Sequence, residues 1–122
     1  MLSTGVDLIE IERIERSLTR FGDKMRDRLF TPQEQAYCAG KMTSLAGRYA
    51  IKEAVGKALG TGIGDVRWTD IEVVNDARGK PELILHNHAK DLAAELGLHQ
   101  WSISISHTGT HAIGFAVGLG TT

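Results

Sequence analysis

The chain has 122 residues, 42% of them hydrophobic and 24% charged, with a net charge of -1 and a single cysteine. These values describe one soluble domain, residues 1–122, with room for one core and not for two. They exclude an internal disulfide, and without any stretch of roughly 18 consecutive apolar residues they predict no membrane span. The start, MLSTGVD, lacks the basic residues and apolar run of a secretion signal, so the cytoplasm is the expected location. A nucleic-acid partner is not expected either, because the slightly negative chain carries no basic, aromatic-laced groove.

Residues 3–9, within GVDLIEIERI, read as a strand that carries Asp7 inside an apolar run. Burying an unpaired carboxylate is costly, so Asp7 calls for a base, a cap or a metal ion. Ile11, Ile14, Leu18 and Phe21 then recur at helical intervals, which predicts an amphipathic helix from Glu10 to Phe21, stopped by Gly22. Positions 13–28 hold a net +3 against -4 in the remainder, either a solvated helix face or a dock for an acidic partner.

FTPQEQAYCAG starts a short helix, with Thr31 as N-cap, Pro32 in the first turn and Glu34 completing a capping box; it ends near Gly40. Cys38, inside it, reads as a semi-buried small hydrophobe. The longest helix is predicted from Thr43 to Leu59, with Leu45, Tyr49, Ala50, Ala54 and Ala58 near one face and Gly60 as its stop. Its many small residues predict close packing against another element. After the TGIGDVRWTD loop, IEVVND and PELILH read as a hairpin turning at Gly79, NHAKDLAAELG as a helix, and WSISISH with HAIGFAVG as a second hairpin. In WSISISH the residues Trp101, Ile103, Ile105 and His107 alternate with serines. The class is α+β, a largely antiparallel sheet packed against a long helix.

Chemistry concentrates in KEAVGK, where Glu53 stands four residues before Lys57 and shares its face. The pair is either a surface ion pair, or a carboxylate for a metal beside an ammonium for a phosphate. Mg²⁺ takes only one or two protein carboxylates and leaves its other positions to water and phosphate oxygens, so Asp7 with Glu53 would suffice. Gly56, inside the helix, marks a close approach by some other group. The GTGIG loop follows a helix instead of preceding one and is not a P-loop. His107 closes a strand at the sheet edge, where sites tend to lie. The residues alone therefore leave open a phosphate-transfer enzyme, a metal-dependent nuclease, and a non-catalytic oligomeric module in which Asp7 merely caps the first helix.

Taken in order, GVDLIEIERI, FTPQE, AGRYAIKEAVGKALGTGIG, ARGKP and SISISHTGTHA resemble the holo-acyl-carrier-protein synthase family, the short type of 4'-phosphopantetheinyl transferase, from Gly5 to about Val117. The resemblance implies that family's fold and a Mg²⁺-dependent transfer of the 4'-phosphopantetheine arm from coenzyme A to a serine of apo acyl carrier protein, in fatty acid biosynthesis. By match to the motifs it implies Asp7 and Glu53 as metal ligands, Lys57 on the pyrophosphate, and His107 on the coenzyme A phosphates. Arg48, Lys80 and Pro81 become candidates for the coenzyme A cleft. Arg13, Arg16 and Arg20 become candidate contacts to the acidic carrier protein. The family is a homotrimer with its clefts between subunits. Some members carry Asp directly after the strand-end His, where this chain has Thr108.

Overall fold

In the computed structural model, which describes residues 1–120, β1 (Leu2–Glu10) leads into α1 (Ile11–Leu29), and α2 (Pro32–Cys38) precedes the long α3 (Met42–Ala58). A 3-10 turn at Trp68–Asp70 opens β2 (Ile71–Asn75), followed by β3 (Pro81–Leu85), α4 (Asn87–Glu95), β4 (Gln100–His107) and β5 (His111–Leu119). All strand pairs are antiparallel, as expected. They form two sheets instead of one, β1-β5-β4 and β2-β3, with β3 running beside β4 unpaired.

Close packing of α3 follows from its small residues and from glycines on the strands beneath it. A Cβ on Gly5 would stand 1.8 Å from the Ala54 carbonyl oxygen, and one on Gly114 would stand 2.6 Å from the Ala50 carbonyl carbon. Neither strand could lie so close to the helix with a side chain at these positions. One core cluster, including Ile51, Val55, Ile71 and Ile103, fills the space between α3, the sheets and α4; another, including Ile14, Leu18, Phe30 and Leu45, fills the space under α1. Gly56 is explained similarly, since its Cβ would meet Gly62 at 3.0 Å where the GTGIG loop folds back and Gly62 N–H donates to the Gly56 carbonyl at 3.0 Å.

The first helix departs from expectation. Gly22 does leave helical geometry (φ 64, ψ -148), but the helix resumes after it and runs to Leu29, burying Leu29 beside Ile11, Ile14 and Leu18. The glycine is a kink and not a stop. The capping box at Thr31 and Glu34 is present as read from the sequence.

Candidate active site

Asp7 and Lys57 are brought together by the contact at Gly5. Side chains alternate along β1, so Asp7 faces α3 as Gly5 does, and the helix presents Glu53 and Lys57 on either side of Ala54, which Gly5 touches. Lys57 Nζ lies 3.1 Å from Asp7 Oδ1 and also donates to the Val6 carbonyl at 2.9 Å. The Asp7 side chain is 17% exposed and that of Lys57 52%. The surface pair between Glu53 and Lys57 is therefore not what forms; the lysine reaches the strand. Asp7 does not cap α1 either, because the N-cap is Glu10 and no side-chain capping bond is made there.

Asp7 and Glu53 line one groove of about 530 Å³, shared with Arg13, Ser17, Tyr49 and His111. Burial and the Asp7 carboxylate push Glu53 above the ordinary carboxylate value, while the Tyr49 hydroxyl and Lys57 pull it back. Burial, Glu53 and Asp7 likewise raise the Tyr49 phenol. Two carboxylates lining one groove form a donor set that suits a hard divalent cation. Among the described residues, no group of three or more His, Cys, Asp and Glu is placed to hold a metal. A pair of carboxylates is a ligand set that Mg²⁺ accepts, since that ion keeps most of its positions for water and phosphate oxygens.

Of the remaining sequence candidates, Arg13 alone lines this groove. His107 is exposed at the end of β4, opposite Ala112, and it is His111 that lines the groove. Arg48 is buried, packs its guanidinium over Tyr37 at 4.6 Å, donates to the Asn75 side-chain oxygen and leaves its Nε without a partner. Asn75 in turn donates to the Gly79 carbonyl at 2.9 Å and pairs in register with Pro81, so Arg48 is tied to the hairpin that carries Lys80 and Pro81. Along α1, Arg13 lines the groove, whereas Arg16 and Arg20 share a shallow surface with Glu12 and Glu15.

Three residues escaped the sequence reading. Lys52, next to Glu53, is fully buried; it bonds Glu34 Oε1 at 2.8 Å, the Trp68 carbonyl at 2.9 Å and the Ile71 carbonyl. Its signal was its place in the row Arg48, Lys52, Val55, Leu59, a buried stripe at helical spacing that includes two cations. Tyr49 was read as core, but it stacks on Trp68 at 4.9 Å with its ring at the groove wall. His111 had no signal beyond its position at a strand start.

Residues 3–116 match the family model of the 4'-phosphopantetheinyl transferase superfamily. The holo-[acyl-carrier-protein] synthase of Herpetosiphon aurantiacus is 48% identical over 127 aligned positions, covering 98% of this chain and all of that protein. The enzyme of the same name from Moorella thermoacetica is 48% identical over 98% of this chain and 93% of its own. Among solved structures, Helicobacter pylori holo-[acyl-carrier-protein] synthase in complex with coenzyme A superimposes with a TM-score of 0.87 at 34% identity, covering 95% of this chain and 99% of that one. The Bacillus anthracis synthase in complex with CoA (3',5'-ADP) superimposes at 0.80 and 38% identity, covering 98% and 96%. With sequence and fold agreeing over almost its whole length, the chain belongs to the 4'-phosphopantetheinyl transferase superfamily.

Proposed function

We propose that this chain transfers the 4'-phosphopantetheine arm of coenzyme A to a serine of apo acyl carrier protein, giving the holo carrier and adenosine 3',5'-bisphosphate, as a holo-[acyl-carrier-protein] synthase of fatty acid biosynthesis. The observation that carries the reading is that Asp7 and Glu53, from a strand and a helix distant in sequence, line one groove, with Lys57 paired to Asp7 beside it, in a fold shared with synthases solved with coenzyme A. That likeness favours the transferase over a nuclease or a non-catalytic module.

In the reaction the serine oxygen bonds to the phosphorus that carries the pantetheine arm, and the bond from that phosphorus to the bridging oxygen of the leaving bisphosphate breaks. Such a displacement gains most from positioning and from neutralising charge on the leaving group. Asp7 and Glu53 would hold Mg²⁺, which when bound supplies charge neutralisation at the pyrophosphate. Lys57 adds a cation at the edge of the groove, where its exposed ammonium can reach phosphate oxygens. The serine proton would leave to a groove water, with Glu53 lining the same groove as the carboxylate behind it. The coenzyme A phosphates fall to His107 and to Arg48, with Lys80 and Pro81 beside the adenosine. Arg13, and beyond the groove Arg16 and Arg20, would receive the acidic carrier and chiefly speed its encounter.

A homotrimer with clefts between subunits fits this distribution, because the groups assigned to coenzyme A do not share one groove within a subunit. The sheet face turned away from α3 supplies an interface. There Leu2 and Leu8 are 66% and 64% exposed, and Val6, Ile113 and Phe115 lie between them in register. The protomer acts as one domain, residues 1–122, and the reading places it in the cytoplasm; among the described residues no helix is long and apolar enough to cross a membrane.

The test is to incubate the protein with coenzyme A, Mg²⁺ and apo acyl carrier protein and to weigh the carrier by mass spectrometry. Addition of one phosphopantetheine arm supports the reading, and an unmodified carrier across several carrier proteins overturns it.

A further inference from the structure

An ammonium destined for a pyrophosphate has no need to sit on a carboxylate meant for a metal. Lys57 does so, at 3.1 Å from Asp7 Oδ1, with a second anchor on the Val6 carbonyl. The charges around it explain why. Asp7 and Glu53 put two carboxylates on one groove, and Lys57, one turn beyond Glu53 on the same helix, is ion-paired to Asp7 beside them. Lys57 is thus the counter-ion of the carboxylate pair. Arg13, from α1, lines the groove itself, as do Glu10 and His111, whereas Lys57 stands beside it.

A divalent cation entering alone has to share Asp7 with this ammonium and meets its repulsion. A pyrophosphate entering at the same time offers Lys57 a second anion. The side chain stands in the last turn of α3, half exposed on a flexible four-carbon stem, and can leave Asp7 without disturbing the core. We propose that Lys57 is a movable counter-ion: resting on Asp7 it weakens the hold of the carboxylate pair on a divalent cation alone, and by moving to the phosphates of coenzyme A it makes the two bind together. The proposal rests on the reading above in which Asp7 and Glu53 are the metal ligands. It adds to that reading a reciprocal coupling between the cation and coenzyme A.

The experiment titrates Mn²⁺ into wild type, Lys57→Gln, Lys57→Arg and Asp7→Asn at fixed ionic strength, counting free Mn²⁺ by electron paramagnetic resonance, with and without coenzyme A. Circular dichroism checks that each variant is folded. Removing a unit charge about 6 Å from a divalent ion, in surroundings near to water, corresponds to about a three- to tenfold change in affinity. Lys57→Gln is therefore expected to bind Mn²⁺ alone about three- to tenfold more tightly than wild type, and to gain less from added coenzyme A. Lys57→Arg, which keeps the charge, should behave as wild type. If Lys57→Gln binds Mn²⁺ alone no more tightly than wild type while Asp7→Asn loses it, the counter-ion role is overturned and the metal ligands stand. If Asp7→Asn binds Mn²⁺ as wild type does, the ligand assignment is wrong and the counter-ion role falls with it. Absence of saturable binding by every form has the same meaning.

Discussion

Replacing Lys52 by Met should strongly destabilise the fold, although the residue touches no substrate. The lysine is fully buried, and its ammonium binds the Glu34 carboxylate at 2.8 Å, the Trp68 carbonyl at 2.9 Å and the Ile71 carbonyl. Methionine fills nearly the same volume, so packing around Phe30 and Val55 is kept and the loss is electrostatic. Glu34 retains hydrogen bonds from Thr31 N–H at 2.9 Å and Val73 N–H at 3.0 Å, but its charge is left buried without a counter-charge. Breaking one side of a buried pair costs about 3–5 kcal/mol, which for a chain of this length corresponds to a fall in Tm of about 15 °C. The double variant Lys52→Met/Glu34→Gln removes the stranded charge and should recover at least half of the loss, giving a coupling of about 2 kcal/mol in a double-mutant cycle. Urea unfolding followed by circular dichroism measures all four corners. Additive losses, or a loss below about 1 kcal/mol for Lys52→Met alone, would refute the view that the pair is a mutually dependent part of the core.

Gly5→Ala places a methyl group 1.8 Å from the Ala54 carbonyl oxygen, so β1 must move away from α3. The expected outcome is a loss beyond the usual 1–3 kcal/mol of overpacking, read as a large drop in Tm or as failure to fold. The acid limb of stability should depend on Glu72. Burial pushes its carboxyl up, but the hydrogen bonds from Thr31 and His86, with the charges of His86 and Lys52, outweigh burial and hold it below the ordinary 4.5. A depressed carboxylate binds fewer protons folded than unfolded, so its contribution is whole above pH 4.5 and is lost as pH falls through the lower folded value. Wild type should therefore exceed Glu72→Gln in unfolding free energy at pH 5, with the gap closing toward pH 3; a gap that widens in acid contradicts the assignment. Arg13→Glu should weaken binding of the acidic carrier protein about tenfold while leaving coenzyme A affinity within about twofold. Equal effects on both, by calorimetry, count against a docking role.

The elements were legible wherever local chemistry decides them. The capping box at Thr31, the turn at Gly79 and the alternation in WSISISH each depend on neighbours a few residues away, and each stands in the structure. Gly22 shows the limit: its backbone does leave helical geometry, but the apolar positions after it pull the chain back into helix, and that is a tertiary effect. The division into two sheets also escaped, because nothing in the sequence of β3 or β4 says that they lie side by side without pairing. Within the site, Asp7, Glu53 and Lys57 could be picked out by residue type, but not the ion pair from Lys57 to Asp7, since the helix spacing pointed to Glu53. Lys52 was hidden for the opposite reason. A lysine is expected on the surface, and only the burial of the face around it shows that its charge is answered inside the core by Glu34.

Glu53 and its neighbour Lys52 point in different directions from α3, since successive residues are about 100° apart around a helix. The inner one settles the outer one. Lys52 is held by three acceptors on α2, the 3-10 turn and β2, and these fix the rotation of α3 about its axis. Gly5 and Gly114 fix its height above β1 and β5. Rotation and height together determine where Glu53 stands relative to Asp7. Two carboxylates that repel each other cannot hold themselves near one another, so the work of keeping them together has to come from elsewhere in the fold. Here it comes from a buried ion pair and two glycine contacts that never touch the groove, and the Asp7 charge so placed is answered by Lys57 at 3.1 Å.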